Sequence, residues 1–77
     1  MNPAVDRDTA TQRLELANKH VLKGQERVEA QLALVAKLER GGHNTHEAKM
    51  LLDQFEQILA LQIETRDRMV QGLGENK

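Results

Sequence analysis

The run Leu38-Glu39-Arg40-Gly41-Gly42-His43-Asn44-Thr45-His46-Glu47 decides the fold, because it holds a helix stop and a helix start with almost nothing between them. Gly41-Gly42 is the stop, since glycine reaches the left-handed conformation that closes a helix C-terminus without a Cβ penalty. Lys37 and Arg40 put positive charge in the turn before it, facing the negative end of the helix dipole. The restart follows at once. Asn44 with Glu47 three residues on has the form of a capping box, and Thr45 is the alternative cap.

Upstream of the stop, Gly24 is the only residue of poor helix propensity between Thr9 and Arg40, so the spacing predicts one long helix over about 6–40. Its start has two readings. Asn2 can cap a helix whose first residue is Pro3, or Thr9 and Gln12 can form a capping box. Apolar or small residues recur at Ala10, Leu14, Ala17, Val21, Gly24, Val28, Val35 and Leu38, alternating by three and four, with Gln31 as a polar interruption. That is the heptad seam of a coiled coil. Downstream, no breaker intervenes before Gly72 and Gly74, which predicts a second helix over about 45–72 and a frayed tail. Its stripe is Ala48, Leu51, Leu52, Phe55, Ile58 and Leu59, continued by Gln62, Arg66, Met69 and Leu73.

Two helices joined by a loop of about 41–44 must lie antiparallel as neighbours. The expected fold is therefore all-α, a single hairpin domain over residues 1–77. Folding about Gly42 pairs Leu38 with Ala48, Val35 with Leu51, Val28 with Ile58, Gly24 with Gln62, Val21 with Arg66, Ala17 with Met69 and Leu14 with Leu73. Small residues on one helix thus face long ones on the other, as close packing requires. One seam removes little apolar area from water, so a lone hairpin is poorly stabilised. Leu16, Leu22, Leu32, Ala33, Leu34, Met50, Leu61, Ile63 and Val70 lie off the seam, and from Ala30 to Leu38 the first helix is apolar almost all round. Self-association follows as the expectation, most simply a homodimeric four-helix bundle, with an unknown protein partner as the other way to cover that surface. The packing and oligomer surface is assigned to Leu14, Ala17, Val21, Gly24, Val28, Leu32, Val35, Leu38, Leu52, Phe55, Leu59 and Met69.

Composition narrows the function classes. Eleven leucines and eight alanines stand against two isoleucines, one Phe and no Trp or Tyr, a balance that excludes an all-β fold. With no Cys there is no disulfide, thiolate metal site or Cys nucleophile. There is no serine, no phosphate-cradling glycine loop and no catalytic set, so neither an enzyme nor a cofactor is expected. The net charge of −1 offers no bulk attraction to nucleic acid or anionic lipid. The N-terminal stretch lacks the basic and apolar regions of a secretory signal, and the longest apolar run is Leu32-Ala33-Leu34-Val35-Ala36, too short to span a membrane, so a cytoplasmic location is expected.

Three constellations carry chemistry in principle. His43 and His46 flank the loop beside Glu47, a pair that would bind zinc only with a third ligand from elsewhere, and no metal site is assigned. Lys19, Lys23 and Arg27, one turn apart, form a basic stripe that a dimer would double, the arrangement by which RNA could be gripped; interleaved Glu15 and Glu26 and the lack of stacking aromatics argue for a solvated face. His20-Val21-Leu22-Lys23-Gly24 resembles the His-x-x-Lys-Gly element of histidine phosphotransfer domains. That resemblance implies phosphoryl relay through His20, with Lys23 drawing in an acidic partner and Gly24 admitting its backbone. The bland alternative is a flanking His beside a glycine that lets two helices approach.

From Gly24 onward, Gly24-Gln25-Glu26-Arg27-Val28, the loop run Leu38 to Thr45, Ala48, Leu51-Leu52, Phe55-Glu56, Leu59-Ala60-Leu61 and Arg66-Asp67-Arg68 resemble a group of short uncharacterised bacterial proteins of alphaproteobacterial type. The resemblance implies the same helical hairpin and supplies no activity.

Overall fold

The structure, a computed structural model, describes the backbone of residues 3–75 and the side chains of residues 8–74. Two helices, α1 (Pro3–Arg40) and α2 (His46–Glu75), pack antiparallel as a hairpin. At about 1.5 Å per residue a helix of 38 residues is close to 57 Å long, and the hairpin measures 60 × 15 × 14 Å.

The turn is built from backbone hydrogen bonds that the two glycines make possible. Gly42 has φ 72°; its N–H donates to the Glu39 carbonyl at 3.1 Å, and the His43 N–H donates to the Leu38 carbonyl at 2.9 Å. This pair of bonds is a Schellman closure and satisfies two carbonyls that the end of α1 would otherwise leave free. Asn44 then closes the start of α2, its Oδ1 accepting the His46 N–H at 2.9 Å, while the Thr45 carbonyl accepts the Lys49 N–H at 2.9 Å. Thr45 thus holds the N-cap position, and the side-chain bond comes from Asn44, one residue before it.

α2 runs further than its sequence pattern indicates, and α1 takes the earlier of its two expected starts. It begins at Pro3, the first helical residue of the Asn2 reading, not near residue 6 or at Thr9; Asn2 itself lies outside the described residues. α2 continues through Gly72 and Gly74 to Glu75, so the expected stop near residue 72 is corrected. Gly42 is the only glycine with positive φ among the described residues. In a right-handed helix glycine costs about 1 kcal/mol relative to Ala and forbids nothing, and Leu73, half-buried between the two, keeps that turn against α1. Asn76 and Lys77 of the expected frayed tail lie outside the described residues.

Along α1 the seam is as expected: Ala17, Val21, Gly24, Gln31 and Val35 are buried, and Ala10, Leu14, Val28 and Leu38 half-buried. Along α2 the half-buried line is Thr45, Ala48, Leu52, Phe55, Leu59, Gln62, Arg66, Met69 and Leu73. Leu51 and Ile58 leave the seam, being 40% and 46% exposed. Two helices that keep contact along their length hold the contact line to a period near 3.5 residues, which puts both a position short, on the flank. Leu32, assigned to the packing surface, lies off the seam and half-exposed.

The polar seam residues differ in how they are satisfied. Gln31 donates its Nε2 to the Ala48 carbonyl at 3.0 Å. Arg66 turns back on its own helix, its Nε 3.1 Å from Asp67 Oδ1, and Gln62 Oε1 is buried without a hydrogen-bond partner. Gly24 lies against Gln62 as the register predicts: a Cβ placed there would stand 2.4 Å from Gln62 Oε1 and 3.1 Å from Leu59 Cδ1. At the far end Ala10 lines a hollow with Arg13, Met69, Gly72 and Leu73, again small against long. Neither helix, over the described residues, is long and apolar enough to cross a membrane.

Candidate functional site

The seam uses one stripe of each helix and leaves two long flanks. On one side, His20 of α1 and Ile58 and Thr65 of α2 line a shallow groove of about 260 Å³ with Ala17, Leu61 and Gln62. This fixes which edges of α1 and α2 share a face. Positions related to these by heptad spacing, and the positions next to them on the wheel, add Arg13, Lys23, Arg27, Lys37 and Arg68. Glu47 is the single carboxylate there among the described residues. On the opposite side, Glu39 and Lys49 meet across the helices at 3.3 Å. That face carries Asp8, Glu15, Glu29, Asp53, Glu56 and Asp67, against Lys49 and the Arg66 guanidinium that pairs with Asp67. All of these charged side chains are exposed except the half-buried Arg66.

The near-neutral chain is therefore electrically two-sided, a property the net charge conceals because it averages the faces. A wheel drawn for charges as well as for apolar residues contains the signal. The apolar surface is also divided. Leu16, Leu34, Leu51, Ile58 and Leu61 flank the seam on the basic face, Leu22, Leu32 and Val70 on the acidic one, and Met50 lies on the back of α2. Each is at least 40% exposed, Leu61 and Leu22 most of all at 63% and 60%.

The sequence-derived candidates fall on this frame as follows. His20 and Lys23 are exposed, whereas Val21 is buried at 2% and Gly24 is buried against α2. Gly24 therefore faces its own hairpin and does not offer its backbone to a partner, so of the three residues that define the phosphotransfer-like element His20 and Lys23 reach the surface and Gly24 does not. Lys19, Lys23 and Arg27 are all exposed along α1, running from its back into the basic face. His43 and His46 are exposed at the loop end, the His43 ring lying over Gly41. Among the described residues no group of three or more His, Asp and Glu side chains is placed to hold a metal ion.

No family model matches the chain, nor does any curated protein or solved structure.

Proposed function

We propose that the chain is a non-enzymatic, cytoplasmic helical interaction module that works by self-association, its smallest assembly being a homodimeric four-helix bundle with coiled-coil-like seams. One observation carries this reading: the hairpin exposes far more surface than a free-standing protein of its size. Its accessible surface is 6211 Å² at 8.7 kDa, where a globular monomer of that mass presents about 4,700 Å². Its radius of gyration is 17.6 Å, against about 11.5 Å for a compact domain of this length. Exposed aliphatic side chains lie in lines along the flanks of the seam, which is how helices waiting for a neighbour are patterned. The resemblance to short bacterial hairpin proteins fits the same architecture and adds no chemistry to it.

Sedimentation equilibrium across the micromolar range tests the proposal. The expected outcome is a mass that rises from the hairpin to at least two copies with concentration. A folded, helical monomer throughout the range would overturn it.

A further inference from the structure

We infer that a second copy of this chain docks its acidic face onto the basic face of the first, so that hairpins add face to opposite face. The inference rests on the self-association proposed above and names the contact that carries it.

A two-fold contact sets a surface patch against the same patch of its partner. On the basic face that geometry brings Lys23 and Arg27 against a second set of the same cations, and on the acidic face it brings Glu15 and Glu29 against the same carboxylates. Like charges juxtaposed around a desolvating apolar patch disfavour association strongly. Either two-fold contact also leaves the aliphatic side chains of the other face in water. Docking the acidic face on the basic one removes both problems. Leu22, Leu32 and Val70 of one copy meet the line that includes Leu34, Ile58 and Leu61 of the next, inside a rim of opposite charges.

The area agrees. The surface in excess of a globular monomer, about 1,500 Å², is roughly twice the 800 Å² that each partner contributes to a standard interface. Each copy thus has surface for two contacts. Two copies form a four-helix bundle that keeps one basic and one acidic face free, and further copies extend it into a ring or an open stack.

Sedimentation velocity at low salt and at about 0.5 M salt, where screening acts within about 4 Å, tests this together with two charge-reversal pairs on exposed positions. The full-length chain is expected to pass beyond two copies as concentration rises at low salt, and its association to weaken at least tenfold in high salt. Lys23→Glu with Arg27→Glu, and separately Glu15→Lys with Glu29→Lys, should each lose at least tenfold in self-association while circular dichroism reports intact helix, and an equimolar mixture of the two should associate again. A closed dimer that salt tightens or leaves unchanged overturns the opposite-face contact and leaves self-association standing. Two helical variants that stay apart when mixed overturn the contact as well. A monomer under every condition overturns both.

Discussion

The half of the hairpin next to the loop and the half away from it are held by different means. Near the loop, hydrogen bonds and charges cross between the helices or close the turn: Gln31 to the Ala48 carbonyl, Glu39 to Lys49, the Schellman pair at Gly42 and the Asn44 bond to the start of α2. Among the described residues of the other half, the ion pairs stay within one helix, Arg66 with Asp67 and Arg68 with Glu64, and one buried oxygen, Gln62 Oε1, has no partner. What joins the helices from mid-rod outward is shape, with Ala10, Ala17 and Gly24 making room for Met69, Leu59 and Gln62. Directional bonds fix a register, and steric fit fixes a distance. The hairpin assigns the first task to one end and the second to the other.

The largest effect is expected from removing the room. Gly24→Leu places a full side chain where even a Cβ would meet Gln62 Oε1 at 2.4 Å, and overpacking of this kind costs about 1–3 kcal/mol. Thermal unfolding by circular dichroism should show a fall of many degrees, and hydrogen exchange should show protection lost in the far half first. Uniform loss in both halves would erase the distinction between them.

At the loop, Gly42→Ala keeps every side-chain contact and strains only the backbone. With φ at 72°, an L-residue there costs roughly 1–2 kcal/mol. The midpoint should fall measurably in thermal or urea unfolding, with the far half keeping its exchange pattern. An unchanged midpoint would mean that the turn does not hold the near half together.

The smallest effects separate two helical glycines, Gly24 at mid-rod and Gly72 near the end away from the loop. A Cβ at Gly72 meets nothing within 4 Å, so Gly72→Ala should raise stability by about 0.5–1 kcal/mol through helix propensity alone. Gly24→Ala gains the same propensity but must move the Gln62 amide and crowd Leu59 Cδ1 at 3.1 Å, so its melting temperature should stay level or fall. An equal rise for both variants would put Gly24 outside the close contact.

The sequence shows the hairpin plainly because its signals are local and redundant: Gly41-Gly42 stops one helix, Asn44 opens the next, and both seams repeat every seven residues. Its misreadings have physical causes. Leu51 and Ile58 look like seam residues on an ideal 3.6-residue wheel and move to the flank once the helices keep contact at 3.5. Gly72 and Gly74 look like Gly42, because composition does not carry the sign of φ, which here follows from whether Leu73 has a helix to pack on. The two-faced charge was present in the spacing of Lys23 and Arg27 against Glu15 and Glu29, but it vanishes in any sum over the chain. An activity was not legible: His20 and Lys23 stand exposed, and Gly24, the third residue of that element, is buried against α2.

The Gly42 turn also bears on the order in which the molecule assembles. Contacts beside it join residues close in the chain, such as Glu39 and Lys49, while those at the far end join Ala10 to Met69. The entropy of closing a loop grows with the logarithm of its length, so pairing begins at the turn and runs outward as a zipper, each closed pair shortening the next search. Kinetics should then divide along the rod: Gly42→Ala slows refolding, because the turn is already formed in the transition state, while Gly72→Ala leaves refolding unchanged and slows the opening that starts from the other end.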